Sequence, residues 1–540
     1  MTLNASDLFE LDNAANVSRR ALLKHGAAGA ITAILSPGIT ILPTGLRAAD
    51  PAKAASTTEA KKAVDYTVRA VERKMAPDGR IREVFAYDGE IPGPVIRAKL
   101  NDTLKIKVIN ELDVPTSIHW HGMHQPGTWQ MDGVTDVSHA PIPPGQEFVY
   151  EFKATPAGTH WYHSHTGVQY SDGLFGALIV DEETPPAKYD REEIVLINDW
   201  FLKQSDEILA GLLKGDSMKM GDRKMAPKDD LKADAAKKTV EATADSAKSD
   251  GKTSVMVKSA DGGMKTGGAK DIADVPFESA LINGKGRFKN ESVAPLATID
   301  VKPGETLRLR VINGSSTYQF RFQIDGHSLT VVATDGAPMR PVEVDNLMLS
   351  PGERFDVTLK ANGKSNSWVR AVTLDGKETK ALLSYSGNET TPQDKPAMLG
   401  NRALQPQQMK SRTQVKLVEK PQEVKFKLGG SMKPYAWNIN AQEWPKADSI
   451  RIKANDHVRF VLENPTGMDH PFHLHGHYFF VLGEPGRLNL RDPVQKDSIN
   501  VPAGKTIVLQ WVANNPGKWF FHCHIEWHLA TGMARVIEIT

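Results

Sequence analysis

Four short histidine motifs in this 540-residue chain have the residue types and spacing of metal ligands. They are His119-Trp120-His121, His163-Ser164-His165, His470-Pro471-Phe472-His473-Leu474-His475 and His522-Cys523-His524-Ile525-Glu526-Trp527-His528. Side chains on a β-strand alternate between its two faces, so each His-x-His pair places two imidazoles on one side. Four such pairs offer enough ring nitrogens for a cluster of several metal ions, and more than a single ion uses.

The only cysteine of the chain, Cys523, lies between two of these histidines. A lone cysteine is commonly a small buried apolar residue, and it has no partner for an intramolecular disulfide. Strand alternation sends its side chain to the face opposite its two histidine neighbours. Its expected partners on that face are His470, His528 and Met533. Two imidazoles, a thiolate and a distant thioether form a blue-copper electron-transfer site, so Cys523 is predicted to link a blue copper to a separate cluster.

The elements that must position these residues are repeated three times along the chain. The phrases TLKIKVIN (Thr103–Asn110), TLRLRVIN (Thr306–Asn313) and HVRFVLEN (His457–Asn464) are related and alternate like strands. Short alternating runs separated by Pro and Gly turns are typical of β-sandwiches. The repeats therefore predict an all-β protein of three domains, a number that also suits the length of the chain.

Only the first and third repeats carry the metal-binding pattern. Nine residues beyond the shared asparagine stand His119 in the first repeat and His473 in the third, but Phe322 in the second. Where the third repeat has the candidate blue-copper ligands His470, Cys523, His528 and Met533, the first has Thr116, Ser164, Gln169 and Leu174. The simplest arrangement places the cluster between the first and third units and the blue site in the third. The middle unit is predicted to be a spacer.

The four motifs resemble those of the multicopper oxidases, and the resemblance extends from about Val64 to Thr540. It implies cupredoxin-like Greek-key β-sandwich domains and four copper ions: one type 1, one type 2 and a type 3 pair. By this resemblance the type 1 ligands are His470, Cys523, His528 and Met533, and the type 2 ligands are His119 and His473. The type 3 ligands are then His121, His163, His165, His475, His522 and His524. A small reducing substrate would be oxidised at the type 1 copper, and dioxygen reduced to water at the other three.

Repeats and composition also predict the domain boundaries. The cupredoxin domains are expected at residues 64–182, 190–386 and 410–540, with the type 1 copper in the third. Between about 203 and 274, Lys, Asp, Ala, Gly and Ser dominate, which indicates a disordered insertion into the second domain. Five methionines lie in this region: Met218, Met220, Met225, Met256 and Met264. Thioethers favour cuprous ion, so the insertion either captures copper or is a solvated linker with incidental methionines.

Residues 1–49 have the layout of an export signal. The run Ser18-Arg19-Arg20-Ala21-Leu22-Leu23-Lys24 precedes an apolar stretch that is too short to cross a bilayer, and Ala48-Ala49 follow. The paired arginines favour the twin-arginine export machinery and a periplasmic or secreted protein, with a disordered basic tail as the alternative. No later segment is a membrane-span candidate. The net charge of +1 gives no field that would attract a nucleic acid.

Two acidic residues near the motifs are candidates for catalysis. By the resemblance, Asp132 lies near the type 2 copper, and we expect it to donate protons to reduced oxygen. An Asp before Gly is also a common turn former, so a structural role for Asp132 is the alternative. Glu526 matches an acidic position of the family within the last motif. It is interpreted as a residue that orients the metal ligands without binding a metal ion itself.

The residue after His528 bears on the substrate. Leu529 stands where some bacterial relatives carry an acid, so the motif is closer to laccases and ascorbate oxidases, and phenols or aromatic amines are the leading substrates. The methionines of the insertion keep a cuprous oxidase of copper tolerance open. A copper-storage or electron-carrier protein is a further alternative, although a carrier needs only the blue site. Three repeats disfavour a two-domain nitrite reductase, and the sequence does not reveal the carboxylates of a ferroxidase.

Overall fold

The computed structural model describes residues 63–215, 274–288, 295–413 and 417–540. The predicted export signal and residues 216–273 of the predicted insertion lie outside this part of the chain. In the described residues, thirty strands form six sheets, which confirms the all-β prediction. There are two α-helices among them, α1 (Ser205–Leu213) and α2 (Glu526–Ala530). No helix in the described ranges is long and apolar enough to span a membrane.

The first unit contains two four-stranded sheets, with strand orders β2-β1-β4-β6 and β3-β8-β7-β5. Strands β1 to β8 are Ala63–Met75, Arg82–Tyr87, Gly93–Lys99, Thr103–Asn110, His119–His121, Glu147–Lys153, Gly158–His163 and Phe175–Asp181. Alternate residues of β4, Leu104, Ile106 and Val108, are buried and pack in one core with Leu178 and Val180 of β8. The period of two thus turns one face of each sheet inward, as the alternating phrase predicts.

The second unit is built from strands β9 to β19. These are Arg191–Trp200, Ser279–Ile282, Thr298–Val301, Thr306–Asn313, Phe320–Ile324, Leu329–Thr334, Ala337–Val344, Asn346–Leu349, Arg354–Lys360, Ser367–Val372 and Glu378–Tyr385. They form a six-stranded sheet, β10-β9-β12-β17-β14-β15, and a five-stranded sheet, β11-β19-β18-β13-β16. The second repeated phrase is β12, which pairs in parallel with β9 and antiparallel with β17.

The third unit repeats this plan with strands β20 to β30. These are Gln422–Met432, Tyr435–Ile439, Ile450–Ile452, His457–Glu463, His470–Leu474, Phe479–Gly483, Val494–Lys496, Ser498–Val501, Thr506–Val512, Gly517–Cys523 and Ala534–Ile539. The sheets run β21-β20-β23-β28-β25-β26 and β22-β30-β29-β24-β27, the same order as in the second unit. The ligand-bearing strands β24 and β29 are neighbours in the five-stranded sheet.

The asparagine that ends each repeated phrase has the same structural task in all three units. The amide of Asn110 donates to the carbonyls of Val114 (2.9 Å) and Ile142 (2.8 Å). Asn464 donates in the same way to Met468 (2.7 Å) and Val501 (2.8 Å). The equivalent bonds of Asn313 reach Tyr318 and Leu349. Each asparagine thereby connects the end of its strand to the loop that leads into the next strand. That next strand is β5 in the first unit, β13 in the second and β24 in the third.

Both ends of the predicted insertion are folded, which corrects the prediction of disorder over the whole of 203–274. Helix α1 buries Ile208 and Leu212, which lie one turn apart on one helix face. At the other end, Asp274 is buried. Average composition concealed both ends, because the Lys- and Ala-rich majority of the segment outweighs two short stretches that pack on the domains.

Candidate metal centres

Strand pairing brings the histidines of each unit side by side. In the first unit β5 pairs antiparallel with β7, with His119 opposite His163. In the third unit β24 pairs antiparallel with β29, with His473 opposite His522. Residues directly opposite on paired strands point to the same face. The two groups meet between the units, where the His119 ring stacks on His475 at a centroid distance of 3.8 Å.

The eight imidazoles of the His-x-His pairs are buried and form one cluster. Three sets have ring nitrogens within 4.8 Å of one another: His119, His121 and His163; His119, His473 and His475; and His165, His475 and His522. Two of the three sets combine residues of the first and third units. The Nε2 atoms of His475 and His522 are 3.0 Å apart. Such spacing suits imidazoles that converge on shared metal ions.

Unpaired ring nitrogens support metal binding in this cluster. Among the described residues, no hydrogen-bond partner reaches Nδ1 of His121, either ring nitrogen of His524, or Nε2 of His119, His163, His165 and His473. Buried polar atoms are normally hydrogen-bonded, so a group of exceptions in one place requires an explanation. Ligation of copper would explain it, because neutral imidazole is a favoured copper ligand and three sets of the cluster histidines have ring nitrogens within 4.8 Å of one another.

The opposite ring nitrogens are held by the main chain. Nδ1 of His119 donates to the carbonyl of Asp132 (2.8 Å), and Nδ1 of His473 donates to that of Asp497 (2.9 Å). Nδ1 of His163 donates to the carbonyl of Ser164 (2.9 Å). Each of these bonds selects the tautomer whose Nε2 lone pair is available to a metal ion.

Burial favours the neutral form of seven histidines of the cluster: His121, His163, His165, His473, His475, His522 and His524. Desolvation is the main cause that lowers the pKa of His522 to about 3. It also lowers the pKa of His121, His163 and His475 well below the ordinary value, and neighbouring histidines add to the effect. Since metal binding requires the neutral ring, these histidines need not lose a proton at neutral pH before copper binds.

Cys523 lies on the other face of β29, next to two of its predicted partners. Its Sγ is 3.8 Å from Nδ1 of His470 and 3.6 Å from Nδ1 of His528, and these two nitrogens are 3.1 Å apart. Met533 is buried, and its carbonyl accepts a hydrogen bond from the amide of Cys523 at 3.0 Å. Burial raises the pKa of the Cys523 thiol, so copper must displace its proton on binding.

The outer nitrogens of the two histidines beside Cys523 are capped by polar side chains. Nε2 of His470 lies 2.9 Å from the Thr466 hydroxyl. Nε2 of His528 donates to Oδ2 of Asp274 at 3.1 Å, and the Tyr435 hydroxyl donates to the same carboxylate oxygen. Both histidines are fully buried, and the Trp437 ring also covers them, at centroid distances of 5.1 Å from His470 and 4.0 Å from His528.

Sequence reasoning missed Asp274. It stands at the end of the low-complexity segment, where it looks like one more acidic residue of a solvated linker. The available signal was its position directly before Val275-Pro276-Phe277, where the apolar pattern of the second unit resumes. Val275 and Phe277 are buried with it.

Asp132 contacts histidines of both units. Its Oδ2 accepts a hydrogen bond from Nδ1 of His475 at 2.7 Å, and its Oδ1 is 3.3 Å from Nδ1 of His119. The residue follows the 3-10 turn Trp129–Met131 and is fully buried. Asp132 therefore ends a turn and also holds a carboxylate against the cluster.

Glu526 is the first residue of α2 and is fully enclosed by protein. Its carboxylate accepts hydrogen bonds from the amides of Tyr170 (3.2 Å) and Ser171 (3.3 Å). Burial raises its pKa well above the ordinary value. Glu526 also lines a small cavity together with His163, His165, His522 and His524.

Comparison with known proteins identifies the family. Three multicopper oxidase family models match residues 69–185, 251–388 and 418–540. The multicopper oxidase MmcO of Mycobacterium tuberculosis is 32% identical over 533 residues, which cover 96% of each chain. This chain belongs to the multicopper oxidase family. Laccase-4 of Thanatephorus cucumeris is 30% identical, with 92% of each chain covered.

Solved structures agree with this assignment. The crystal structure of the laccase from Botrytis aclada superposes with a TM-score of 0.73 and 26% identity, over 89% of this chain and 88% of that one. Neighbours of this kind confirm the predicted cupredoxin fold. This multicopper oxidase is therefore a copper-dependent oxidoreductase that uses dioxygen and a reducing substrate, which excludes the alternative of a storage or carrier protein without turnover.

The middle unit of this multicopper oxidase touches the cluster, which corrects its prediction as a spacer. Gly352 has a φ of +86°, and a Cβ atom there would lie 2.9 Å from the His524 ring and 3.0 Å from the His121 ring. Only glycine fits such a close approach. Two residues later, the fully buried Arg354 pairs with Asp497 beside the same histidines. The absence of histidine from the middle repeat concealed this role, because the contacts use other residue types.

Proposed function

We propose that this multicopper oxidase is laccase-like: it oxidises phenols or aromatic amines one electron at a time and reduces dioxygen to water at a trinuclear cluster. Four copper ions would supply the redox chemistry and store the four electrons that dioxygen requires. The type 1 ion would be held by His470, Cys523, His528 and Met533. The type 2 ion would be held by His119 and His473, and the type 3 pair by His121, His163, His165, His475, His522 and His524.

The carboxylate of Asp274 is the observation that supports this substrate class. Its Oδ2 accepts hydrogen bonds from His528 and Tyr435, whereas its buried Oδ1 has no partner among the described residues. A phenol or aromatic amine loses a proton when it loses an electron. Oδ1 is an acceptor for that O–H or N–H group, next to the imidazole through which the electron would leave.

Two carboxyl groups beside the cluster would serve the proton demand of oxygen reduction. Asp132 bonds to His475 and lies beside His119, so it both orients ligands and offers a proton site at the cluster. Glu526 is fixed by two main-chain amides at the wall of the cavity beside the type 3 histidines. We assign both residues to holding and passing protons within the protein, on the side where dioxygen would be bound.

A cuprous oxidase is the second candidate, and the ends of the methionine-bearing segment favour it. Helix α1 precedes residues 216–273 and contacts β21, the strand that carries Tyr435 and Trp437. Trp437 packs on His528 at a centroid distance of 4.0 Å, and Asp274, which follows the segment, bonds to the same ring. The chain therefore leaves and rejoins the described structure beside the type 1 site. The methionines themselves lie outside the described residues.

Oxygen uptake by the copper-loaded protein tests the first candidate with a phenol, and ferrocyanide serves as a donor that carries no proton. Asp274→Asn should lower kcat/KM for the phenol by about 100-fold, which is the lower end of general acid–base effects. Ferrocyanide oxidation should be unchanged or faster, since an anion no longer meets a negative charge. Tyr435→Phe is the matched control, because it removes a bond to the same carboxylate and leaves both oxygens in place. Unchanged phenol turnover in Asp274→Asn would overturn the substrate assignment.

The same assay with cuprous ion tests the second candidate. Replacing Met218, Met220, Met225, Met256 and Met264 by leucine keeps the length and apolar character of the segment but removes every thioether in it. Cuprous turnover should then fall while phenol turnover stays the same. Equal cuprous turnover before and after the replacement would reject this candidate.

A further inference from the structure

We infer that Arg354 of the middle unit is a positioning residue for the trinuclear cluster, and that it acts through Asp497 on His121 and His473. The inference rests on the proposed assignment of these histidines to the cluster. It gives the ligand-free middle unit a specific part in the copper chemistry.

The Arg354 side chain joins all three units. It begins β17 of the middle unit and has no solvent exposure. Its two terminal nitrogens donate to the two carboxylate oxygens of Asp497 in the third unit, at 2.6 and 2.7 Å. Its Nε donates to the carbonyl of Thr159 in the first unit at 3.1 Å. This two-pronged geometry is specific to arginine and holds the carboxylate in one plane.

Asp497 passes that orientation to one histidine from each ligand-bearing unit. Its carbonyl accepts from Nδ1 of His473 at 2.9 Å. Its Oδ1 accepts from the Ser498 hydroxyl at 2.9 Å, and that hydroxyl lies 3.1 Å from Nε2 of His121. The carboxylate of Asp497 can only accept, so the Ser498 hydroxyl donates its proton to Asp497. The Ser498 oxygen then accepts a hydrogen bond from the N–H group of His121.

The consequence for His121 is a fixed tautomer. With Nε2 protonated and bonded to Ser498, the free lone pair is on Nδ1, and Nδ1 has no other partner among the described residues. His121 would therefore bind copper through Nδ1, whereas the bond from His473 to Asp497 leaves its Nε2 free. Residues that orient metal ligands in this way commonly set both affinity and geometry.

Neighbouring residues show that this contact is built into the fold. Gly122, at φ +90°, leaves the space for it, since a Cβ atom there would lie 2.6 Å from Arg354 Nη2 and 3.2 Å from Asp497 Oδ2. Asp335 accepts from the amides of Arg354 (2.9 Å) and Asp497 (3.2 Å). The buried Lys496 lies 3.0 Å from Asp335 and 3.0 Å from Glu353, so its positive charge offsets the negative charge of these two carboxylates.

The decisive comparison is Arg354→Met against Arg370→Met in the copper-loaded protein. Arg370 is another buried arginine of the middle unit, and its partners Asp325 (2.8 Å), Glu378 (2.8 Å) and the carbonyl of Lys395 (3.0 Å) are not cluster residues. Each variant removes one buried, paired guanidinium, but only one of them supports the cluster. The readouts are the type 2 electron paramagnetic resonance signal, copper content after dialysis against a chelator, and the blue type 1 absorption.

For Arg354→Met we expect a type 2 signal of altered shape and about 10–100-fold weaker copper retention at the cluster, with the blue absorption kept. Arg370→Met should retain both centres. Wild-type retention and signal in Arg354→Met would overturn the inference, and so would equal loss of both centres in the two variants.

If Arg354→Met does not accumulate, Arg354→Lys is judged by the same readouts. Lysine keeps the charge but not the two-pronged bond, so the type 2 signal should change while cluster copper is lost to a smaller degree; a wild-type signal would overturn the inference. The wild-type protein separates this result from the proposed function. A wild-type protein that binds four coppers without oxidising a phenol contradicts the proposed substrate and leaves the role of Arg354 to be decided by the variants.

Discussion

The first and third units use the same pocket of the fold for different purposes. In the third unit the pocket holds Cys523 between two imidazoles. In the first unit the equivalent residues form a hydrogen-bonded triad, in which the hydroxyls of Thr116 and Ser164 both donate to Oε1 of Gln169 at 2.8 Å. The pocket is thus filled in one unit by candidate copper ligands and in the other by polar groups that satisfy one another.

The two pockets share a main-chain hydrogen bond at their central residue. The amide of Ser164 donates to the carbonyl of Leu174 at 3.0 Å, and that of Cys523 donates to the carbonyl of Met533 at 3.0 Å. The β-sandwich therefore does not by itself make a blue-copper site. Four side chains decide whether the pocket binds a soft metal ion or serves as polar packing.

The largest effect is expected from exchanging the central residue of the two pockets, Cys523 in the third unit and Ser164 in the first. Cys523→Ser gives the third pocket the residue of the first, so we expect loss of the blue absorption. Turnover should fall by more than about 100-fold, which is the upper end of the effect of replacing a residue that only supports the metal ligands. The type 2 signal should persist, because the cluster histidines are intact. Ser164→Cys added to Cys523→Ser is the reciprocal control and should not restore a blue centre, since Thr116 and Gln169 offer no imidazole. A blue band in the double variant Cys523→Ser, Ser164→Cys would contradict this account.

A moderate effect is expected from the polar triad of the first unit. Gln169→Leu leaves two buried hydroxyls without their shared acceptor and should lower the free energy of unfolding by about 1–3 kcal/mol. The triple variant Thr116→Val, Ser164→Ala, Gln169→Leu should recover part of that loss, because both buried hydroxyls are removed, whereas the carbonyl of Pro115 still lacks the hydrogen bond that Gln169 donates to it at 2.8 Å. Urea unfolding of the copper-loaded proteins measures both values. A triple variant less stable than the single one would show that the triad is more than a satisfied polar filling.

The smallest effect concerns His124 and Tyr478, which are equivalent in the two repeats and meet edge-on at a centroid distance of 4.7 Å. Burial lowers the pKa of His124 to about 4 from its ordinary 6.5. Between these values the unfolded chain binds a proton that the folded protein does not, so stability is lost as the pH falls from 6.5 to 4. His124→Phe should reduce that slope by about 1.4 kcal/mol per pH unit.

Unfolding midpoints measured at several pH values over this range would give the slope. Tyr478→Phe is the control at the equivalent position and should leave the slope unchanged, because burial raises the pKa of Tyr478 far above this range. Equal slopes in wild type and His124→Phe would show that His124 is accessible to protons in the folded protein.

Much of the fold and of the candidate site followed from local patterns. The repeated phrases predicted strands, and the period of two separated Cys523 from its neighbours, because strand alternation depends only on adjacent residues. The resemblance to the multicopper oxidases named the histidines that the structure gathers between the first and third units. The type of each copper and the export signal remain predictions.

The sequence by itself determined which residue types could bind copper and on which face of a strand each would lie. Only the tertiary structure decided which residues hydrogen-bond to the candidate ligands and their neighbours: Asp274 to His528, Asp132 to His475, and Arg354 to Asp497. These partners are 254, 343 and 143 residues apart along the chain. Such contacts depend on how whole sheets pack, so no local period records them. The middle unit, which looks like a spacer in sequence, acquires its place at the cluster in that packing.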